Sequence, residues 1–232
     1  NVVAMKIAIT RLENKAAGDR ALCASYGHDC YTVSPLRADL RMERVAAFVE
    51  AVDRGEFDCL FFSSALPAAI VAPKLKRWPR VIAIGPKTAE VLRESGIEAE
   101  VLPAFYSRDF VPYLGDWLRG RTVGIPRADV PNPGLLGGIT AAGGRVREER
   151  VYALVPTGAE LALDAADAVL FTSAMSCREA RWQPRDDLLL VAIGDITADA
   201  MRAGGHPPAI VGDGSLAGTL EALNHYLEAR GR

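Results

Sequence analysis

The chain carries the same strand-to-helix turn twice. Residues 83–92 read AIGPKTAEVL, and residues 192–201 read AIGDITADAM. The offset of 109 positions between them also relates residues 58–66, DCLFFSSAL, to residues 167–175, DAVLFTSAM, so no gap separates the two matched pieces. Repeats of this length are far longer than those of solenoid proteins. The repeat therefore predicts two similar domains that arose by duplication.

The composition of the chain is that of an ordinary soluble globular protein. Its 232 residues are 50% hydrophobic and 24% charged, with a formal net charge of −2. A weakly acidic chain has no bulk positive field to attract nucleic acid or a membrane surface. No apolar run approaches the roughly 20 residues of a membrane helix, and the first residues lack the pattern of a signal peptide. We therefore expect a cytoplasmic monomer without nucleic-acid or membrane partners.

Cysteine and histidine usage argues against a disulfide framework, a metal site and a catalytic triad. The four cysteines show no CxxC spacing and are expected to be free thiols: Cys23, Cys30, Cys59 and Cys177. Cys177 could lie near a helix start, where a thiolate is favoured, but a packed thiol is the expectation. The three histidines are scattered along the chain: His28, His206 and His225. We expect no metal and no histidine-based catalytic site.

Short apolar runs alternate with amphipathic segments of helix length. This alternation is typical of βαβ units and predicts a parallel sheet flanked by helices in each half. Two segments break the pattern, residues 29–40 and residues 146–156, which are long and extended. They are expected to pair as an antiparallel ribbon between the domains.

The repeated turns have the chemistry of anion-binding sites. Gly85 precedes Pro86, which is suited to the first position of a helix, so Lys87 and Thr88 present backbone N–H groups without an intrahelical partner. The serines of LFFSSAL and the Thr-Ser pair of LFTSAM repeat this arrangement. Helix N-termini favour carboxylates and phosphates, and ligands of open α/β sheets bind beyond the carboxyl ends of the strands.

Two arginines end the opening strands of the two halves, KIAITR at Arg11 and TVGIPR at Arg127. With the repeated turns, they predict an anion-binding cleft between the domains. The alternative, that these turns are only helix caps, stays open for any single turn. Asp195 replaces Pro86 in the second copy, and its carboxylate weakens that half of the predicted site. The residues expected to bind the ligand share a position at strand ends: Thr10, Arg11, Ser63, Ser64, Gly85, Pro86, Lys87, Thr88, Arg127, Thr172, Ser173, Gly194 and Thr197.

Other motifs point less clearly to a function. GDGSLA, residues 212–217, fits a dinucleotide-binding pattern, but no further strand follows to complete a βαβ unit. KLKRWPR, residues 74–80, is expected to be a solvated basic helix end. The chain has no evident nucleophile, so any chemistry is expected to depend on positioning a reactive substrate.

The duplicated motifs resemble those of the uroporphyrinogen-III synthase family over nearly the full chain. The family has an FTS turn and an IGxxTA turn in each half, which appear here as FFSS with LFTS and as IGPKTA with IGDITA. It also has an early TR strand end, a mid-chain strand ending in Arg and a VY pair in the returning connector. These appear as ITR, IPR and Val151–Tyr152.

This resemblance implies an α/β fold with two flavodoxin-like parallel-sheet domains joined by a two-stranded antiparallel ribbon. The implied boundaries are residues 1–34 with 155–232 for the first domain and 39–148 for the second, with 35–38 and 149–154 as connector strands. The chain would begin in one domain, cross to the other and return.

The resemblance also implies a reaction. Enzymes of this family cyclise hydroxymethylbilane, a linear tetrapyrrole with eight carboxylates, to uroporphyrinogen III. They invert the last pyrrole and release water as cyclising hydro-lyases of porphyrin and haem biosynthesis, with no metal or cofactor. Tyr152 is the catalytic residue that the resemblance marks. Departures at Leu12, Leu66, Asp195 and residues 126–134 keep a second hypothesis open, a non-catalytic ligand-binding or regulatory relative on the same scaffold. An NAD-dependent enzyme, suggested only by GDGSLA, is a third.

Overall fold

The computed structural model describes residues 2–12 and 16–231. The helix-sized segment at residues 13–27 therefore begins with three residues that lie outside the described part of the chain. Two compact units make up the fold. Residues up to Arg37 together with those from Val155 onward form unit 1, and Ala38–Leu154 form unit 2.

Unit 1 contains a five-stranded sheet in which every neighbouring pair is parallel. Its strands are β1 (Lys6–Thr10), β2 (Asp29–Val33), β9 (Ala168–Phe171), β10 (Leu189–Ala192) and β11 (Ile210–Val211), in the spatial order β11-β10-β9-β1-β2. Its helices are α1 (Asp19–Ser25), α7 (Ala174–Glu179), α8 (Asp195–Ala203) and α9 (Leu216–Arg230). Each helix follows a strand and returns the chain to the other end of the sheet, as parallel pairing requires.

Unit 2 contains a six-stranded sheet in the order β3-β8-β7-β4-β5-β6. Its strands are β3 (Leu36–Leu40), β4 (Cys59–Phe62), β5 (Arg80–Ala83), β6 (Glu100–Val101), β7 (Thr122–Ala128) and β8 (Arg145–Pro156), where the outer residues of β3 and β8 fall in unit 1. Its helices are α2 (Met42–Asp53), α3 (Ala65–Val71), α4 (Pro86–Glu94), α5 (Phe110–Leu114) and α6 (Pro133–Ala141). The predicted α/β class with two mostly parallel sheets is confirmed.

The two extended segments that break the α/β alternation contribute to strand pairs. Arg41 N–H donates to the carbonyl of Val151, and Thr157 N–H donates to that of Pro35, so the β3–β8 pair runs antiparallel. The first part of β8 also pairs in parallel with β7, from Thr122–Arg145 to Ala128–Tyr152. The segment at residues 146–156 is thus both a sheet strand of unit 2 and half of an antiparallel pair.

Alternating side chains along the central strands fill two cores in each unit. In β4 of unit 2, Leu60 and Phe62 face the helices α2, α3 and α4, whereas Cys59 and Phe61 face α5 and α6. In β1 of unit 1, Ile7 and Ile9 pack with α1 and α9, and Ala8 packs on the side of α8. Strands covered by helices on both faces need apolar residues at every position, which is why CLFF and AVLF lack a polar residue.

One predicted helix is interrupted. The sequence predicts a helix over residues 111–120, but α5 ends at Leu114 and a 3₁₀ turn follows at Gly115–Leu118. Gly115 has a φ of 54°, which ends α5 because a right-handed helix requires negative φ. No helix among residues 2–12 and 16–231 is long and apolar enough to cross a membrane.

The edge strand β6 is held to β5 by an ion pair. The Arg80 guanidinium donates to Glu100 Oε2 through Nε at 2.6 Å and to Oε1 through Nη2 at 2.7 Å. Tyr113 Oη donates to the same carboxylate at 2.9 Å. The Arg80 guanidinium beside it holds the pKa of Glu100 below its ordinary value, and the Tyr113 hydrogen bond acts in the same direction. Two neighbouring strands of only two and four residues are thereby joined by side chains as well as by backbone.

We predict that Glu100→Gln destabilises unit 2 at neutral pH by about 0.5–1 kcal/mol, because the pair is partly exposed. The folded protein binds the ionised carboxylate, so the stabilisation is present above the pKa of Glu100 in the unfolded chain. It is lost as the pH falls through the lower folded pKa. Urea unfolding of both proteins at several pH values measures this difference, which should vanish in acid. A difference that stays constant with pH would contradict the ionic origin.

Candidate functional site

Parallel pairing brings the predicted site residues of unit 2 to one edge of its sheet. Four neighbouring strands in the order β7-β4-β5-β6 end there, and Arg127, the two serines after β4 and the Gly85 turn after β5 are placed in that order. Adjacent strands lie about 4.8 Å apart, so the row from β7 to β6 covers roughly 14 Å. The backbone arrangement therefore produces an extended site rather than a single point.

The turns after β4 and β5 form the helix starts that the sequence predicts. Ser64 is the N-cap of α3 and Gly85 the N-cap of α4, and neither receives a side-chain cap. Ser63 and Ser64 are half-buried, Pro86 and Lys87 are exposed, and Thr88 is buried. Since the first N–H groups of a helix have no intrahelical partner, the exposed start of α4 can donate to an anion.

Arg127 is the most distinctive residue of this edge. Its side chain is almost fully buried at 8% exposure, and Nη1 donates to Glu148 Oε2 at 3.2 Å. Its Nε is the single buried side-chain donor of the described residues that lacks a hydrogen-bond partner. Unsatisfied buried donors are rare and cost free energy, so such a group calls for a ligand or another explanation.

A chain of alternating charges orients Arg127. Glu148 also accepts from Arg150 Nε at 3.0 Å, and Arg150 Nη1 donates to Asp129 at 2.8 Å. Asp129 in turn accepts from Arg41 Nη2 at 2.6 Å. The Arg150 and Arg41 guanidinium groups lower the pKa of Asp129 below its ordinary value, which keeps this carboxylate a charged partner of both arginines.

Glu148, Arg150 and Asp129 were not predicted from the sequence. Strand register makes them neighbours, because Arg127 is paired with Arg150 and Ile125 with Glu148 on the adjacent strand. The signal that could have found Glu148 and Arg150 was the run of four charged residues REER at 147–150, immediately before the Val151–Tyr152 pair.

A β-bulge determines where Tyr152 lies. The pairing of β7 with β8 shifts after Arg127, so that Ala128 is paired with Tyr152 and Val151 is the extra residue. Val151 and Tyr152 consequently pack in the same core cluster although they are adjacent in a strand. Bulges re-aim side chains in this way and are common beside functional sites.

The Tyr152 phenol is held in its protonated form. The side chain is buried at 5% exposure, and this burial raises the pKa of Tyr152 above its ordinary value. A hydrogen bond with Ser64 and the charge of Arg127 lower the same pKa, with smaller effects than burial. A neutral phenol at this position can donate a proton or a hydrogen bond, but it is not a base at neutral pH.

The predicted residues of unit 1 are also at the carboxyl ends of adjacent strands. Thr10 is buried at 1% exposure, and its Oγ1 accepts from Thr172 N–H at 3.0 Å and lies 3.3 Å from Thr172 Oγ1. Ser173 caps α7 by accepting from Ser176 N–H at 3.0 Å. The hydroxyl groups of Thr10 and Ser173 are therefore engaged within the protein.

The remaining residues of the unit 1 edge differ from those of unit 2. Arg11 Nε forms an ion pair with Asp19 Oδ2 at 3.2 Å. Gly194 is the N-cap of α8, Asp195 and Ile196 are exposed in its first turn, and Thr197 is buried. The carboxylate of Asp195 offsets the positive end of α8, so this helix start is a weaker anion site than that of α4.

One cavity of unit 1 is lined by none of the residues predicted to bind the ligand. It has a volume of about 590 Å³ and lies in unit 1 beside the C-terminal parts of α7 and α8, with Trp182, His206 and Arg178 among its walls.

Among the described residues, no three His, Cys, Asp or Glu side chains are arranged to hold a metal. All four cysteines are free, and burial raises the pKa of Cys177, which favours its thiol form.

These features support anion binding and hydrogen-bond donation. Unit 2 offers a partnerless guanidinium donor, an exposed helix start and a protonated phenol along one sheet edge. Such an arrangement can bind several carboxylates of an extended molecule and protonate a leaving group.

Comparison with known proteins identifies the family. Residues 20–215 match the profile described as uroporphyrinogen-III synthase HemD. No curated protein matches the chain significantly in sequence. The structure is similar to a uroporphyrinogen-III synthetase from Helicobacter pylori, with a TM-score of 0.63 and 16% identity over 98% of this chain and 100% of that chain.

A second similar structure is a mutant uroporphyrinogen III synthase from the extremely thermophilic bacterium Thermus thermophilus. It has a TM-score of 0.55 and 18% identity over 97% of this chain and 99% of that chain. At these identities the two structures indicate a shared fold. Because the family profile spans most of the sequence, this chain belongs to the uroporphyrinogen-III synthase family.

Proposed function

We propose that this protein cyclises hydroxymethylbilane to uroporphyrinogen III, with inversion of the last pyrrole and loss of water. The observation that carries the proposal is the buried Arg127 Nε without a partner, on the sheet edge that also holds Tyr152. The substrate has eight carboxylates, and a buried guanidinium donor is suited to bind one of them. Membership of the family supports the same reaction.

Substrate binding is assigned to the strand ends of unit 2 and to the corresponding residues of unit 1. In unit 2 these are Arg127, Ser63, Ser64 and the α4 start from Gly85 to Thr88. In unit 1 the half-buried residues Arg11, Thr172, Ser173 and Gly194 are proposed to contact the substrate, and the buried Thr10 and Thr197 are proposed to position these turns. Fixing the conformation of a long flexible substrate accelerates ring closure, since the reacting ends no longer have to find each other.

Tyr152 is proposed as the catalytic acid. Its neutral phenol can donate to the hydroxyl group of hydroxymethylbilane, so that the C–O bond breaks and water leaves. Burial raises the pKa of Tyr152 and keeps the phenol protonated until it donates, while the hydrogen bond with Ser64 and the charge of Arg127 partly offset that rise. We propose that the enzyme acts in the cytoplasm as a monomer, without a metal or cofactor.

The identity of the product tests the proposed function. With hydroxymethylbilane supplied by a coupled synthase, we expect the purified protein to yield the III isomer after oxidation and chromatographic separation. Ring closure without inversion gives the other ring order and serves as the control without enzyme. Formation of only the non-inverted isomer, despite binding of the tetrapyrrole, would support the alternative of a non-catalytic relative, which the carboxylate of Asp195 at the α8 start favours.

Replacing Arg127 with Lys tests the guanidinium donor. Lysine keeps the positive charge beside Glu148, but all its donors are on one nitrogen, so it does not place a separate donor at the position of Nε. We expect Arg127→Lys to raise KM roughly tenfold or more, since a hydrogen bond to a charged group is worth about 1.5–3 kcal/mol. Arg147→Lys makes the same replacement on the neighbouring strand, in an ion pair with Glu56 outside this charge chain, and should leave KM nearly unchanged. Equal KM values for Arg127→Lys and the wild type would refute the assignment.

Removing the Tyr152 hydroxyl tests the catalytic acid. Tyr152→Phe keeps the ring in the core cluster, so the melting temperature should stay nearly constant. We expect kcat for the III isomer to fall by about 10²–10⁴, the usual contribution of a general acid. Tyr113→Phe, which removes an exposed hydroxyl of the same unit, is the matched control for loss of a phenol. Full activity of Tyr152→Phe would reduce this residue to a structural role.

A further inference from the structure

An exposed phenylalanine occupies a backbone conformation that normally belongs to glycine. Phe105 follows β6 and has a φ of 62°, and it is the only non-glycine residue with positive φ in residues 2–12 and 16–231. Bulky side chains rarely adopt this region because their Cβ approaches the backbone. The side chain is nevertheless 54% exposed, so core packing alone does not explain it.

The duplicated half of the chain has glycine at the corresponding position. Gly214 lies 109 positions after Phe105, the offset that also relates Gly194 to Gly85. Gly214 has a φ of 96°, and it immediately precedes Ser215, the N-cap of α9, just as Phe105 precedes Tyr106, the N-cap of the next 3₁₀ turn.

The loops that hold these two residues are attached to their sheets in the same way. Leu102 N–H donates to the Ala83 carbonyl in unit 2, and Gly212 N–H donates to the Ala192 carbonyl in unit 1. The unit 2 loop is one residue longer between this bond and the residue with positive φ. Both loops thus have one residue with positive φ directly before an N-cap, and glycine adopts this conformation at no steric cost.

The turn directs the Phe105 ring onto the candidate site of unit 2. A Cβ built on Gly85 would lie 3.6 Å from Phe105 Cγ and 3.7 Å from Cδ1, so the ring rests against the N-cap glycine of α4. In unit 1 the equivalent neighbour of Gly194 is only the backbone of Gly214, at 3.4 Å. Unit 2 therefore has an aromatic wall beside an exposed helix start, and unit 1 does not.

We propose that Phe105 contacts a pyrrole ring of the substrate while the start of α4 binds a carboxylate of the same ring. This proposal rests on the proposed function. A carboxylate-bearing pyrrole combines an aromatic face with an anionic arm, and the Phe105–Gly85 pair offers an apolar surface next to partnerless N–H groups. Phe105 thus determines which tetrapyrrole ring unit 2 selects and how it is oriented, without taking part in proton transfer.

The position of Phe105 gives a sharp test, because a functional role and a packing role predict opposite results. Phe105→Gly restores the residue that unit 1 uses, so the melting temperature should not fall. We expect this variant and Phe105→Ala to weaken binding of uroporphyrin III, a stable polycarboxylate tetrapyrrole, by about two- to tenfold, the usual range for an aromatic pair. KM for hydroxymethylbilane should rise by a similar factor, with kcat nearly unchanged.

Two controls accompany the test. Phe105→Tyr keeps the ring and should bind as the wild type does. Trp78→Ala removes another exposed aromatic of unit 2, located before β5 at the opposite edge of the sheet, and should also bind normally. Wild-type Kd and KM in Phe105→Gly, or a lower melting temperature of that variant, would overturn the proposal.

The proposed function and this inference can fail separately. An active wild type with unchanged Phe105→Gly kinetics refutes only the role of Phe105. A wild type that forms no III isomer refutes the proposed reaction, and the Kd for uroporphyrin III then decides the role of Phe105 by itself. If an active wild type does not bind uroporphyrin III, the proposed reaction stands and KM of Phe105→Gly for hydroxymethylbilane decides the role of Phe105.

Discussion

Parallel strand pairing is the constraint on which the rest of this structure depends. Every strand of the unit 1 sheet runs parallel to its neighbours, and so do five of the six strands in the unit 2 sheet. The carboxyl ends of the parallel strands then lie at one edge of the sheet, and each short strand must be covered by helices on both faces. The covered faces carry only apolar side chains in β4 and β9, so polar chemistry is confined to the turns at strand ends. Duplication of the strand-turn-helix unit consequently duplicates the edge on which ligands can bind.

The two copies of this sheet edge differ in charge, in exposed side chains and in hydrogen bonding. In unit 2 the α4 start is positive and exposed, with Lys87 in its first turn and an aromatic ring against its N-cap glycine. In unit 1 the α8 start carries Asp195 and an exposed Ile196, and its N-cap glycine touches only backbone. Thr10 and Ser173 of unit 1 use their hydroxyl groups in internal hydrogen bonds. The same backbone thus presents an edge with an exposed, positive helix start in unit 2 and a more self-contained edge in unit 1.

The sequence predicts the repeated turns correctly, but it does not predict features that depend on strand pairing or on the conformation of a single residue. The IGPKTA and IGDITA turns begin helices at Pro86 and Asp195 as expected, because cap residues act locally. The partners of Arg127 were missed, since they depend on the register of β7 with β8, which involves residues more than twenty positions apart in sequence. The bulge that turns Tyr152 into the same cluster as Val151 is likewise a property of strand pairing rather than of local composition. The predicted helix at residues 111–120 ends early, because the positive φ of Gly115 is incompatible with a right-handed helix.

Phe105 and the glycine at the matching turn of unit 1 differ in side chain but share a positive φ. The glycine at the equivalent turn of unit 1 indicates what the backbone alone requires. A residue that departs from this requirement destabilises the fold unless something else retains it, because positive φ is unfavourable for any side chain with a Cβ. The ring is 54% exposed, so only part of its surface can offset that cost by packing within unit 2. Its contact with the N-cap glycine of α4 puts the ring on the sheet edge where Arg127 and Tyr152 also lie, and the proposed contact with a pyrrole ring would offset the cost of the strained turn.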